Sequence, residues 1–219
     1  LNANPGGSYG SSLFTGIVLD GATVETSGAG DIGLVAQGGG VIDWPTRVDG
    51  IRLENDASID STSTASDAGQ ISLMGTGSAS PGTIGFQSGV VIRGGSTITS
   101  VAGDIAITGV GGAGTGGNNY GIALSEDAAI VSFGSGADAA SILLDGTGGS
   151  SPGSGNFGIM MSGFDTDILA VDGGIHLLGQ GGGIGTGNFQ DGIYIENVPS
   201  TIASSGTGAS VGDIIIDGT

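Results

Sequence analysis

The chain has 219 residues and a formal net charge of −18, with three arginines (Arg47, Arg52, Arg93), no lysine and no cysteine. Such a chain cannot neutralise phosphates or form disulfides, and no run approaches the roughly 18 apolar residues of a membrane span, so nucleic-acid binding, membrane insertion and thiol chemistry are set aside. Fifty glycines and five prolines border on the composition of disordered chains, yet 37% of residues are apolar and the β-branched ones recur at fixed positions, which disorder would not maintain.

The first predicted strands cover residues 17–19, a short stretch around Val24, and residues 32–34. The same three-part order returns at 51–53, Ile59 and 71–73, and again at 90–92, Ile98 and 105–107. It recurs at 122–124, Ile130 and 142–144, then at 159–161, Ile168 and 175–177, and last at 193–195, Ile202 and 214–216. The period is about 35 residues, and within each segment apolar residues alternate with a period of two. Alternation of that kind is strand geometry, and a fixed repeat of that length means a stacked fold. Each short strand can bury its inward face only on copies of itself, so equivalent strands are expected to pair in parallel, like over like.

Around the second strand the inward pattern is small, large aliphatic, small or hydroxyl. Examples are Ala57-Ile59-Ser61, Ser96-Ile98-Ser100 and Ala128-Ile130-Ser132. That order suits a narrow corner where a hydroxyl can bond to the backbone. The gaps from second to third strand run 8, 12, 7, 12, 7 and 12 residues, so odd and even coils differ and the true unit is a coil pair of about 71 residues. The turn after the first strand alternates in step: even coils carry Glu54-Asn55-Asp56, Glu126-Asp127 and Glu196-Asn197, odd coils Gly21, Gly94-Gly95 and Gly163. The longest connection, such as residues 146–155, is rich in glycine, which is expected to supply positive φ in sharp loops. Asn119-Tyr120, Asn156-Phe157 and Asn188-Phe189 close three of these loops and predict stacked ladders of amides and rings.

The segments Asp145-Gly-Thr-Gly-Gly149 and Gly155-Asn-Phe-Gly-Ile159, with Gly-Asp-Ile at 30–32 and 103–105, resemble the repeat shafts of filamentous-haemagglutinin-like secreted adhesins. The resemblance spans the chain, lies in repeat grammar, and includes no catalytic motif. It implies a right-handed parallel β-helix at the bacterial surface or in the extracellular matrix. The expected architecture is one all-β solenoid over residues 1–219, of about six three-stranded coils, belonging to a longer repeat protein.

Candidate chemistry is sparse. Asp165 and Asp167 are the best carboxylate pair for a carbohydrate-active enzyme, read as same-facing residues of one strand, but a lyase or hydrolase acting on acidic sugars would also need basic residues to hold them. His176, between Ile175 and Leu177, should face outward and has no second His or Cys to make a metal site. The acidic turns of even coils could hold a divalent cation weakly. Outward Val18, Val91 and Met160, with Leu143, Leu169 and Ile215, could make lateral contacts between filaments or with loops folded back over them. Trp44 and the loop aromatics could stack on glycans. No catalytic, cofactor or metal residue is assigned. The expected role is a structural, non-enzymatic segment of a secreted adhesin or extracellular filament that self-associates head-to-tail or laterally. The alternative is a carbohydrate-active or glycan-binding β-helix.

Overall fold

The computed structural model describes residues 2–3, 14–40, 47–79, 85–184, 186–196, 199–207 and 211–219. Its strands form three sheets, and every pairing between them is parallel. The first sheet stacks Ile17–Asp20, Ile51–Glu54, Val90–Arg93, Ile122–Ser125, Ile159–Ser162 and Ile193–Glu196. The second stacks Thr23–Thr26, Ser58–Ser61, Thr97–Ser100, Ala129–Ser132, Thr166–Ala170 and Ser200–Ser204. The third stacks Ile32–Gln37, Ile71–Thr76, Ile105–Val110, Ile142–Thr147, Ile175–Gln180 and Ile214–Gly218, with Asn2–Ala3 added beside the first of these. Three strands in succession make one tier, and six tiers make a parallel β-solenoid.

The register follows the apolar pattern residue for residue. In the second sheet Val24 pairs with Ile59, Ile59 with Ile98, Ile98 with Ile130, Ile130 with Ile168, and Ile168 with Ile202. The core is a column of such residues from all three sheets, and from Ile51 to Leu177 nearly all of them are wholly buried. Each contributes about 1.5–3 kcal/mol through lost apolar surface. A slip of one residue would turn the whole set outward, so burial fixes the register.

The corners are narrow, and their small residues fill them. Ala57, Ser61, Ser96, Ser100, Ala128 and Ser132 are buried. Ser61 Oγ donates to the Gly69 carbonyl at 2.6 Å, Ser100 Oγ to the Gly103 carbonyl, and Ser204 Oγ to the Val171 carbonyl at 3.2 Å. Ser96 Oγ instead accepts from the Ala57 N–H at 3.2 Å. Ser132 Oγ, also buried, has no partner.

In the second, third and fourth tiers the turn after the first strand holds two successive left-handed residues, whereas the first tier has Gly21 alone, at 57°, and the fifth has Gly163 at 96° and Asp165 at 52° with Phe164 between them. Gly94 and Gly95 adopt φ of 61° and 73°, Asn55 and Asp56 57° and 61°, and Glu126 and Asp127 57° and 64°. Backbone bonds climb through the turns, from Asp56 N–H to Gly94 O and from Gly95 N–H to Glu126 O, each at 2.8 Å. A Cβ on Gly94 would meet Asn55 N at 3.3 Å, and one on Gly95 would collide with the Asp56 carboxylate.

Glycine in the long loops supplies positive φ where expected, at Gly40, Gly155 and Gly183, and has a second use at the loop ends. Gly50, Gly89, Gly121, Gly158 and Gly192 precede the first-sheet strands, and none has positive φ. A Cβ on Gly158 would lie 2.5 Å from Gln180 N, 2.5 Å from Gly192 O and 2.6 Å from Gly146 O. Each loop leaves the third sheet and returns to the first through a neck of bare backbone. Close approach, rather than left-handed φ, is what selects glycine there.

Candidate functional site

The outer face of the first sheet carries the chain's most elaborate chemistry. Its central outward column runs Val18, Arg52, Val91, Ala123, Met160 and Tyr194, one residue per tier. Val18 is 42% exposed, but Val91, Ala123 and Met160 are buried in a second apolar cluster. Phe157 belongs to that cluster, and Tyr120 and Tyr194 pack against it. Val91 and Met160 are thus not an exposed lateral surface; of the two contacts expected for them, it is loop residues folded back, Tyr120 and Phe157, together with Tyr194, that cover them.

The predicted ladders form, with a changed membership. Asn119 Nδ2 donates to Asn156 Oδ1 at 3.1 Å, and the Gln87 N–H donates to Asn119 Oδ1 at 3.1 Å. Asn156 Nδ2 and Gln190 Nε2 both donate to the Gly153 carbonyl, at 2.7 and 2.8 Å. The amide column is Gln87, Asn119, Asn156 and Gln190, and Asn188 is outside it. Tyr120 and Phe157 stack with centroids 5.8 Å apart and planes 2° apart, and Phe157 and Tyr194 at 4.5 Å and 10°. Tyr194, not Phe189, supplies the third ring. The signal was available: Tyr194 alternates with Ile193 and Ile195, so it points outward above Met160.

Phe189 stands two residues earlier in its loop than the ring position of the ladder, which Asp191 occupies. It has φ of 59° and is 67% exposed. The residue just before each amide of the column is left-handed in all four tiers: Phe86 at 65°, Asn118 at 60°, Gly155 at 73° and Phe189 at 59°. Phe189 lines a cavity of about 480 Å³ together with Asn118, Tyr120, Phe157, Tyr194 and Glu196. Tyr120 Oη donates to Asn118 Oδ1 at 3.2 Å, and Tyr194 Oη to Glu196 Oε2 at 2.8 Å. Burial pushes the Tyr120 phenol up, and the bond to Glu196 does the same for Tyr194.

Toward the other end of the same face lie all three arginines, a grouping that residue counts alone do not reveal. Arg52 pairs with Glu54 at 3.2 Å and with Asp49 at 3.4 Å; Arg93 pairs with Glu54, and Arg47 with Asp49 at 3.9 Å. Arg47 also sits 5.6 Å above the Phe86 ring. Asp49 is fully buried and accepts from the Ser88 N–H at 3.2 Å. Desolvation pushes its carboxyl up against the opposing pull of Arg47 and Arg52. The Arg52–Asp49 pair pins the loop end at residues 47–49 to the strand of the second tier, and the Arg93–Glu54 pair ties that strand to the third.

The other candidates separate. Asp165 is not on the strand, which begins at Thr166; it sits in the preceding turn at φ 52°, exposed. That turn holds one residue more than its neighbour below, so the pattern of alternation does not carry through it. Asp167 lies on the outer face of the second sheet, where Oδ1 accepts from the Thr201 N–H at 2.9 Å. The two therefore do not form the same-facing pair read from alternation. His176 is exposed between Leu143 and Ile215, which pair with it across the third sheet. Among the described residues no group of three or more His, Asp or Glu gathers where a metal ion could bind. Trp44 lies outside the described residues.

The chain matches no protein-family model, no curated protein and no solved structure.

Proposed function

We propose that this chain is a structural, non-enzymatic segment of a secreted bacterial adhesin or extracellular filament, and that its work is to be a stiff column. The observation that carries the reading is the unbroken register: aliphatic over aliphatic through six tiers of three sheets. Polar side chains support it in the same way. Asn119 reaches Asn156, Glu54 reaches Arg93, and Asp31 and Asp104 each accept a backbone N–H of the next tier, at 2.9 and 2.8 Å. The resemblance to haemagglutinin-like shafts supports a surface location. The last tier leaves Ile195, Ile214 and Ile216 exposed on an edge that a further tier, in the same protein or in another copy, would bury. Electron microscopy of the full-length protein tests this. Rods or fibres whose length scales with tier number are expected, and compact globular particles would overturn it.

A further inference from the structure

We propose that the groove beside the aromatic stack binds a neutral oligosaccharide, a role that does not depend on the shaft reading. The starting observation is an expensive choice of residue. A left-handed backbone disfavours any bulky side chain, and the same position in the tier below is filled by Gly155 at φ 73°. At Phe189 the chain nevertheless holds a phenyl ring at φ 59° and leaves it 67% exposed. Neither conformation nor burial favours it. Phe86 occupies the corresponding place three tiers away, but there Arg47 covers the ring, and Phe189 has no such cover.

The groove gives the ring a use. Its volume of about 480 Å³ lies within the range of about 300–1,000 Å³ typical of ligand sites. Phe189 and the exposed parts of Tyr194 offer apolar surface suited to the C–H faces of a pyranose, while Phe157, buried between Tyr120 and Tyr194, only backs the groove. Around them lie groups matched to sugar hydroxyls: the Glu196 carboxylate and the Asn118 amide, each already holding a tyrosine hydroxyl, and Ser154. The groove crosses the fourth to sixth tiers along the side of the stack, so it takes a linear chain of about two or three sugar units on the tier spacing of about 4.8 Å.

Charge selects the class of sugar. The chain carries −18, Glu196 lines the groove, and the three arginines are committed to ion pairs on earlier tiers. A uronate or sulfated saccharide would meet repulsion without a compensating cation, whereas an uncharged one would not.

The test is calorimetric titration of the protein with linear 1,4-linked hexasaccharides: β-linked glucose, β-linked N-acetylglucosamine and, as the acidic probe, α-linked galacturonic acid. At least one neutral oligomer is expected to saturate a single site, with galacturonate oligomer weaker. Phe189→Gly keeps the backbone in the conformation Gly155 already adopts, so it should preserve or raise the unfolding midpoint while weakening binding by about tenfold. Glu196→Gln should weaken it less. The proposal is overturned if neither neutral oligomer binds, if the acidic one binds more tightly, or if Phe189→Gly leaves affinity unchanged. Sedimentation showing a dimer that Phe189→Gly dissolves would likewise overturn it and assign the groove to a second copy.

Discussion

Gly158 shows how much of this fold is decided at single atoms. Its α-carbon faces backbone on three sides, so Gly158→Ala must push strands apart. We expect a loss of about 1–3 kcal/mol, the usual cost of overpacking, in urea unfolding. Gly33, where an added Cβ meets nothing within 4 Å, provides the contrast. Gly33→Ala should leave stability unchanged or raise it by about 0.4–1 kcal/mol through the unfolded chain. Asp49 makes a second prediction at this scale. Burial raises its folded pKa above the unfolded value of about 3.9, so the folded state holds the proton over a window where the unfolded state has released it. Stability from this group is therefore present below that window and lost as pH rises through the folded pKa. Measured against Asp49→Asn, which does not titrate, the wild type should lose stability as pH rises through that window. A difference that grows with pH would mean that Arg47 and Arg52 outweigh desolvation.

Among the elements, strands and corners were the most readable. Ile59, Ile98 and Ile130 are vertical neighbours, as the spacing predicts, because period-two alternation with one buried face leaves a single register. The inward small residues at Ala57 and Ser61 were legible for the same reason. Turns and loops were harder, because a turn records φ and contact rather than hydrophobicity. The turns at Asn55-Asp56, Gly94-Gly95 and Glu126-Asp127 look unlike in sequence but share one backbone, two left-handed residues in a row. Glu126 is the costliest occupant, being neither Gly nor Asn. Glu126→Gly should remove about 1–2 kcal/mol of left-handed strain, less the added unfolded-state entropy of glycine, for a net rise in thermal midpoint. A fall would show that the Glu126 side chain makes a stabilising contact larger than its strain. The loop aromatics were predicted to stack but were misassigned at Phe189, since no periodic signal numbers residues inside a glycine-rich loop.

For the whole molecule, the sequence specifies a column but says little of what the column touches. The arginine and glycine-neck arrangements depend on residues far apart in sequence that meet only once the tiers are stacked. Arg93 and Glu54, 39 residues apart, are one such pair. The same stacking buries Val91 and Met160, which single-strand alternation places in solvent. Stability is expected to add tier by tier, as in other stacks whose repeats contact only their neighbours.

The most direct test of that column is a disulfide, since the chain has no cysteine of its own. Val131 and Leu169 are register partners on the outer face of the second sheet, while Asp167 is the partner of Ala129, two residues away on the same face. Neighbouring parallel strands, at about 4.8 Å, place register partners within the Cα separation of about 4.4–6.8 Å that a disulfide spans, whereas a two-residue offset adds a full side-chain repeat. Val131→Cys with Leu169→Cys should cross-link on mild oxidation in the monomer and raise the unfolding midpoint. Val131→Cys with Asp167→Cys should remain reduced. Equal cross-linking of both pairs, or closure of the offset pair alone, would contradict the in-register parallel stack.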